Sequence, residues 1–248
     1  MIRTTDALIL QAKPFRETSR ILVFLSRDYG KLVTLAKGVH REEGRFVSPL
    51  DPLTVNRIVF YERPRSGLHL LTQCDLMEGF LPLRENLERM ACAFYLSELA
   101  DRTAQQGIRE EWLFSLLLES LRQLSSGMSS VLLARAFEIK LLAHGGFMPE
   151  LRLCIVCRRP LTERISPRFD RGGFVCEACP SPSASWKLSK GTVASLGYLA
   201  ESDLSRLSRV HLTPGDRDQM GHLLEKFLEF YLEEKPRSRA FLQKVGLS

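Results

Sequence analysis

The sequence predicts an α+β chain of several domains: a small antiparallel β-barrel, then an α-helical domain that carries a four-cysteine insertion of the zinc-finger type. Three observations predict this class. The first 80 residues read as short strands, apolar residues recur at helical spacing from residue 83, and two C-x-x-C pairs interrupt the helical region. We expect a barrel domain at 1–80, a helical domain at 81–149 and 183–248, and the insertion at 150–182.

Five segments of strand character follow one another before residue 80. They are DALILQAK, SRILVFLS, KLVTLAKG, LTVNRIVFY and GLHLLTQCDL. No helical stretch separates them, which favours an antiparallel barrel over a parallel sheet. In the fourth segment the apolar residues change parity, so we expect a β-bulge near Asn56 and Arg57.

Alternation assigns the side chains of these strands to faces. One face of the first strand is expected to hold Leu8, Leu10 and Ala12. One face of the fifth is expected to hold Leu68, Leu70, Cys74 and Leu76.

Helical periodicity predicts three helices after the barrel, followed by a final strong one. The first contains Leu87 to Leu99, the second is WLFSLLLESLRQL, and the third is SVLLARAFEIKLLAH, which ends at Gly145-Gly146. The final helix begins at Thr213-Pro214-Gly215-Asp216, which supplies an N-cap hydroxyl and a proline in the first turn. It ends before Lys235-Pro236. A Ser- and Pro-rich linker around Pro180 and Pro182 precedes it.

The four cysteines of the insertion predict one structural zinc ion. They are Cys154, Cys157, Cys176 and Cys179. Two C-x-x-C pairs eighteen residues apart match the spacing of tetrahedral zinc sites, and a hairpin with its turn at residues 170–173 would bring the pairs together. Four thiolates leave no open position for a catalytic water. A redox dithiol pair and unliganded core cysteines are the alternatives, and Cys74 and Cys92 are expected in the core.

The composition indicates a globular chain with no membrane partner. We find no export signal and no apolar run longer than a strand, so we expect a cytoplasmic location, where thiols stay reduced. The net charge is +6, and the excess lies in residues 1–80, around the cysteines, and after residue 235. A polyanion such as nucleic acid is the expected partner, although a charge this small also occurs in proteins that bind nothing acidic.

No catalytic signature is present, so we do not expect an enzyme. Gly30-Lys31 lacks the rest of a P-loop, and no G-x-S-x-G or H-E-x-x-H motif occurs. The five histidines are scattered.

Two groups of cations could contact nucleic acid. Residues 15–46 mix aromatic and basic residues on two predicted strands and a loop, which is typical of barrels that stack bases and bind phosphates. The alternative places Phe24 and Phe46 in the core, with the basic residues as a solvated rim. Six arginines surround the cysteines, and these either contact phosphates or offset the negative charge of a zinc-thiolate site. They are Arg152, Arg158, Arg159, Arg164, Arg168 and Arg171.

Three stretches resemble the RecO family of bacterial recombination mediators. They are ALILQAKPFRETSRILVFLSRDYGKLVTLAKGVHR from Ala7, RFVSPLDP at 45–52, and FEIKLLAHGGFMPELRLCIVC followed by the second cysteine pair. The resemblance implies an OB-fold as the N-terminal barrel. It also implies binding of single- and double-stranded DNA, annealing of complementary strands after DNA damage, and a nucleoid-associated location.

The resemblance also implies partners and DNA-binding residues. Family members work with RecR to help RecA replace single-strand-binding protein, whose C-terminal tail is expected to bind the helical domain. Arg20 in FRETSR, and Lys37 and Arg41 in AKGVHR, match basic positions of the family, and charge adds Arg16 and Arg45. Two other classes stay open: an OB-fold and zinc-ribbon module in RNA binding or transcription, and a thiol redox protein.

Overall fold

The structure, a computed structural model, describes residues 1–39, 46, 50–162, 164–181, 183, 186–210, 212–232 and 234–246. These residues form two compact units, Met1–Ser126 and Gly127–Ser248. The predicted DNA-binding residues Arg41 and Arg45 lie outside the described residues, as do parts of the predicted linker.

Five strands form a closed barrel in the order β1-β2-β3-β5-β4, which confirms the predicted barrel. They are β1 (Ile2–Phe15), β2 (Ser19–Ser26), β3 (Gly30–Lys37), β4 (Val55–Tyr61) and β5 (Leu68–Glu78). Four pairings are antiparallel, whereas β3 and β5 run parallel, with Val33 opposite Leu68 and Ala36 opposite Leu71. Strand β4 makes the reversal between them, so the parallel pair needs no crossover helix. This topology is of the OB-fold type.

A bulge in β1 changes which side chains face the barrel interior. Ile9 pairs with Phe24 and Gln11 with Val23, which leaves Leu10 as the extra residue. Before the bulge Ile9 faces the interior, and after it Ala12 does. The predicted face of Leu8, Leu10 and Ala12 is therefore wrong for Ala12.

The bulge predicted near Asn56 is present, but β5 supplies the extra residue. Val55 pairs with Glu78 and Asn56 with Leu76, and a second shift follows between Val59 and Phe60. The second shift skips Thr72, so that Leu71 and Cys74 both face the core. The predicted face of β5 is wrong for Leu68 and Leu70, which are half-buried outside that core. Leu76 shares the face of Cys74, as predicted, but is exposed.

The interior of the barrel is filled by aliphatic and aromatic side chains. Its fully buried members are Ala7, Ile9, Leu22, Phe24, Leu32, Ala36, Leu50, Ile58, Phe60, Leu71 and Cys74. Tyr29 and Phe46 pack against this cluster from its edge.

Three helices complete the first unit: α1 (Leu81–Arg84), α2 (Leu87–Thr103) and α3 (Glu111–Ser125). The predicted positions of α2 and α3 are confirmed. Asn86 caps α2, since its side chain accepts a hydrogen bond from the N–H of Arg89. The loop between α2 and α3 contacts the start of β3, because Gln106 bridges to Gly30 and Lys31. The Gln106 side chain also donates to the carbonyl of Gly67 at 2.7 Å.

The second unit contains four helices and a small hairpin. They are α4 (Ser130–His144), β6 (Ser166–Arg168), β7 (Gly173–Val175), α5 (Lys190–Glu201), α6 (Pro214–Leu232) and α7 (Arg239–Lys244). Helix α4 ends before Gly145 as predicted. Thr213 caps α6 as predicted, because its Oγ1 accepts a hydrogen bond from the N–H of Asp216 at 3.1 Å. None of the helices in the described residues combines the length and apolar composition needed to cross a bilayer.

A buried ionic cluster ties α7 to α4 and α6. On α4, Arg135 binds both carboxylate oxygens of Glu138, at 2.9 and 2.7 Å, and both side chains are almost completely buried. On α7, Arg239 reaches Glu138 at 3.4 Å and Glu225 of α6 at 3.3 Å, and it donates to the carbonyl of Gly221. Such a cluster requires all its partners, since each buried charge is costly alone.

The first prediction concerns the contact of the α2–α3 loop with β3. A Cβ at Gly30 would lie 1.7 Å from the carbonyl oxygen of Ile108, and Gly30 has φ +62°. We expect Gly30→Ala to lower the free energy of unfolding of the first unit by clearly more than the about 1–3 kcal/mol that the left-handed conformation alone costs. Gly107→Ala is the matched control, because Gly107 has φ +75° and open space around its Cβ. Urea unfolding, followed by Trp112 fluorescence in a Trp186→Phe background, measures both. Equal losses would contradict the close contact.

The second prediction concerns the ionic cluster. Arg239→Met removes a buried cation and leaves Glu225 without this partner, so we expect a loss of about 3 kcal/mol in the free energy of unfolding of the second unit. Lys244→Met, on the exposed side of the same helix, is expected to change it by less than about 0.5 kcal/mol. Urea unfolding followed by Trp186 fluorescence in a Trp112→Phe background distinguishes them. If Arg239→Met left the free energy of unfolding unchanged, the cluster would contribute nothing to stability.

Candidate metal centre and nucleic-acid interface

The four cysteines lie on two tight turns that the hairpin holds together. The first pair lies in a turn where the N–H of Arg158 donates to the carbonyl of Cys154 at 2.9 Å. The N–H of Ile155 donates to the carbonyl of Phe174 in β7, which seats this turn on the hairpin. The second pair follows β7 directly. A hairpin is present as predicted, with β6 and β7 joined through residues 169–172.

The cysteine sulfurs converge on one point. All four Sγ atoms lie within 4.8 Å of one another, and those of Cys157 and Cys176 are 3.7 Å apart. A tetrahedron with Zn–S bonds of about 2.3 Å has edges of about 3.8 Å, so the donor atoms fit a tetrahedral ion of this size. Four sulfur donors favour zinc over magnesium or calcium, which prefer oxygen. Within the described residues, this is the one group of three or more Cys, His, Asp or Glu side chains arranged to hold a metal ion.

The thiols have divergent acidities because they crowd one another. A hydrogen bond from the Arg159 side chain to Sγ at 3.4 Å lowers the pKa of Cys157 to about 6. Loss of hydration, and then hydrogen bonding with the other thiols, raises the pKa of Cys179 to about 12. Four thiolates at this spacing repel one another, so a cation among them favours their ionised form.

Most of the arginines around the cysteines have local partners. Arg159 binds Cys157, and four others pair with carboxylates. These pairs are Arg152–Glu201, Arg164–Glu177, Arg168–Asp170 and Arg171–Asp170, with distances from 2.6 to 4.0 Å. Of the two interpretations of these residues, compensation of the thiolates is supported by the contact of Arg159, whereas the other four contacts compensate carboxylates.

Three of the predicted DNA-binding residues lie at one end of the barrel. We call it the Lys37 end; it comprises the β1–β2 turn, residues 16–18, and the end of β3. Arg20 pairs with Pro14 and Ala36, and Lys37 pairs with Ser19. Alternation therefore places Arg20 on the interior side of the ladder at the barrel mouth and Lys37 on its outer face.

Arg16 holds an unusual backbone conformation within that turn. Its φ is 58°, which is unfavourable for a residue with a Cβ, and its guanidinium lies 5.4 Å from the ring centroid of Phe15. An arginine where glycine would be less strained suggests a role outside the fold.

Two aromatic residues of this region, Phe24 and Phe46, are not available for stacking. Phe24 is fully buried in the barrel, and Phe46 packs against the same core. This agrees with the alternative interpretation of the sequence, in which both rings belong to the core. The prediction that bases stack on aromatics here is wrong for these two residues.

The sequence reasoning missed one cation at the Lys37 end. Lys13 is exposed near the end of β1, opposite Ile21 of β2. The bulge at Leu10 turns Lys13 to the outer face, the face that also carries Lys37. Its position inside an apolar strand was the available signal, since a lysine in such a strand faces solvent.

The two ends of the barrel differ in how their cations are compensated. The opposite end, which we call the Gly30 end, comprises the β2–β3 turn, residues 27–29, and the β4–β5 loop, residues 62–67. There the ion pairs are Arg3–Glu62 at 3.0 Å, Arg27–Asp6 at 3.7 Å, Arg57–Asp6 at 2.9 Å and Lys31–Asp101 at 2.6 Å. At the Lys37 end, none of the four cations forms an ion pair with a described residue; they are Lys13, Arg16, Arg20 and Lys37. This end can therefore offer its charge to an anionic polymer.

Comparison with known proteins places both halves of the chain in one family. The family model described as "Recombination protein O N terminal" matches residues 1–80, and the one described as "Recombination protein O C terminal" matches residues 84–240. Together they span nearly the whole chain. Neither description names a catalytic activity.

Relatives match over almost their full lengths. The chain is 32% identical to a DNA repair protein RecO of Moorella thermoacetica, over 97% of this chain and 90% of the relative. It is 34% identical to that of Pelotomaculum thermopropionicum, over 97% and 93%. It is 35% identical to that of Desulforudis audaxviator, over 98% and 97%. The chain therefore belongs to the RecO family of DNA repair proteins.

Proposed function

We propose that this chain is a non-enzymatic recombination mediator that binds and anneals single-stranded DNA. With RecR, it would help RecA load on DNA coated by single-strand-binding protein, whose tail would bind the helical domain. Its barrel (1–80) would bind single- and double-stranded DNA, its helical part (81–149 and 183–248) would bind proteins, and its insertion (150–182) would be held by zinc. The proposed location is the cytoplasm, in association with the nucleoid.

The uncompensated cations at the Lys37 end carry this proposal. Cations paired with carboxylates have little charge left for phosphates, and the Gly30 end is largely paired and also receives the α2–α3 loop. The Lys37 end has four cations and, among its described residues, one nearby acid, Glu17. A strand that crosses this end releases its counterions to solvent, which drives binding without regard to sequence.

Annealing follows from charge neutralisation and requires no covalent step. Cations at one end of a small barrel neutralise phosphates of two strands at once. The strands then repel each other less, and their local concentration rises, so that base pairs nucleate. Base pairing supplies the free energy.

The cysteine quartet supports a structural role for one zinc ion in each chain. Residues 150–181 contain a hairpin with two strands of only three residues each, so little regular secondary structure orders this segment. Zinc bound by Cys154, Cys157, Cys176 and Cys179 would supply that order, with Arg159 donating to one thiolate.

The third prediction tests which end of the barrel binds DNA. If about four to six phosphates are contacted, log affinity for single-stranded DNA falls with log salt with a slope of roughly −3 to −4. Replacing Arg20 and Lys37 with Ala should make this slope shallower by about 1.4, at about 0.7 for each phosphate contact. Fluorescence anisotropy of a labelled oligonucleotide across salt concentrations measures the slope.

The matched control removes the same charge from the Gly30 end. Arg63 and Arg65 are exposed in the β4–β5 loop and form no ion pair with a described residue. Replacing both with Ala should leave the slope within about 0.3 of the wild-type value if they contact no phosphate. A larger change in this control than in the Arg20, Lys37 variant would mean that DNA binds the Gly30 end instead. Tighter binding of RNA than of DNA of the same sequence would favour the RNA-binding alternative.

The fourth prediction tests the metal. Protein purified without chelator should contain roughly one zinc per chain, and Cys154→Ser with Cys157→Ser should contain none. Cys92→Ala, which removes a buried thiol outside the quartet, should keep its zinc. Elemental analysis measures all three. Metal-free wild-type protein would contradict the assignment.

A fifth prediction separates annealing from simple DNA binding. Complementary strands coated with single-strand-binding protein should anneal faster with the wild-type chain. The Arg20, Lys37 variant should anneal them at a rate that falls as steeply as its affinity, because both depend on phosphate contacts. Strand pairing followed by fluorescence energy transfer provides the rate. If the wild-type chain bound DNA but did not accelerate annealing, it would be a DNA-binding protein only, and the mediator mechanism would be refuted.

A further inference from the structure

We propose that an aromatic cleft in the second unit, between the end of α4, the hairpin and α6, receives one unpaired base of the DNA strand. The inference rests on the proposed function, since it assigns a base contact outside the barrel. The cleft is lined by Gly146, Phe147, Met148, Phe169, Arg171, Gly172, Phe227 and Phe230.

Four aromatic rings form the walls, and their neighbours hold them in place. Phe169 lies against Phe227 with ring centroids 5.1 Å apart and a steep angle of 62° between the planes. Phe147 lies 4.8 Å from Tyr231, with an angle of 54° between the planes. Phe227 is itself buried, with 4% of its surface exposed. The walls are therefore built on packed residues, which is what a preformed binding cleft requires.

The two glycines that line the cleft leave open space beside their backbone. A Cβ built on Gly146 or on Gly172 would meet no atom within 4 Å. The volume of the cleft is about 240 Å³. That is below the roughly 300–1,000 Å³ of sites for drug-sized ligands, so the cleft suits a single planar group.

Two aromatic side chains are more exposed than packing requires. Phe230 is 61% exposed and Phe147 43% exposed. The buried face of α6 contains Met220, Leu223, Leu224, Phe227 and Leu228. Phe230 continues the edge of that face, seven residues after Leu223 and three after Phe227, yet its ring is left exposed and is not used by the core. Exposed aromatic rings beside a cation are the usual means of holding the bases of a single strand.

The charge at the rim suits a nucleotide. Asp170 is bound through both oxygens by Arg168, at 2.9 and 2.8 Å. Arg171 reaches the same carboxylate at 4.0 Å, and its side chain is 63% exposed. Arg168 and Arg171 share the one carboxylate of Asp170, so these three side chains together keep one positive charge beside the aromatic walls. A base between the rings would bring its phosphate to the Arg171 guanidinium.

The barrel gives the inference its second support. Phe24 and Phe46 pack in the barrel core, so neither ring is available to stack bases beside the cations of the Lys37 end. Phe15, half-buried beside Arg16, offers one ring at that end, so contacts to further bases need rings elsewhere. Among the residues the structure describes, this cleft combines exposed rings, open space beside two glycines and a net positive charge.

The experiment compares two oligonucleotides of equal length, an oligothymidylate and its fully abasic counterpart, against the full chain. Wild-type protein should bind the oligothymidylate at least about fivefold more tightly, because stacking of one base contributes that factor or more. Phe230→Ala should lose most of that preference and bind the abasic strand as the wild type does. Phe241→Ala, with 45% exposure on α7 and outside the cleft, should keep the preference. Arg171→Ala should make the salt slope shallower by about 0.7.

The outcomes separate this inference from the proposed function. If Phe230→Ala keeps the wild-type preference for bases, or loses affinity for both strands equally, the cleft does not hold a base. If wild-type protein shows salt-dependent binding to both strands with equal affinity, the cleft inference fails and the proposed DNA binding stands. If neither strand binds, both fail. Self-association that Phe230→Ala abolishes, seen by sedimentation velocity without DNA, would assign the cleft to a second copy of the chain and also overturn the inference.

Discussion

Closure of a five-stranded sheet into a barrel is the constraint on which the first unit depends. With so few strands, closure requires strong coiling, and the bulges at Leu10, Thr72 and Met77 supply it by letting one strand advance past its partner. The last step of closure is the parallel pairing of β3 with β5. That pairing fixes the β4–β5 loop at the Gly30 end of β3 and leaves the end of β3 at Lys37 beside the β1–β2 turn. The two ends of the barrel thus acquire different neighbours.

The α2–α3 loop then makes the two ends chemically different. It can approach β3 because Gly30 has no side chain, and it brings Asp101 of α2 to Lys31, whose ammonium also donates to the carbonyl of residue 101 at 2.7 Å. Asp101 thus adds to the carboxylates of Asp6 and Glu62, which the barrel itself places beside Arg3, Arg27 and Arg57. No described helix brings carboxylates into ion pairs with the cations of the Lys37 end. Packing of α2 therefore adds one ion pair to those that the barrel makes by itself at the Gly30 end, where Arg63 and Arg65 have no ion pair with a described residue.

Local patterns predicted the elements, and non-local pairing decided the rest. Strand and helix positions followed from periodicity, the α6 cap from Thr213 and Asp216, and the cysteine quartet from spacing, because each depends on residues close in the chain. The faces of Ala12 and Leu70 could not be predicted, since a bulge changes parity through the register of the partner strand. The contact between Glu138 and Arg239 joins residues 101 positions apart, and no short-range signal announces it. Whether Arg20 and Lys37 bind DNA stays a prediction from family motifs.

Electrostatics divides the work between the two units. Four thiolates with one zinc ion carry a net charge of about −2, and an arginine hydrogen bond to Cys157 offsets part of it. The neighbouring arginines are mostly paired with carboxylates, so the insertion retains little charge with which to attract phosphates from a distance. Under the proposed function, capture of a strand would fall to the Lys37 end of the barrel, where attraction would be long-ranged and weakened by salt. An aromatic cleft acts only at contact and is indifferent to salt, so it would prolong binding of a strand that is already captured.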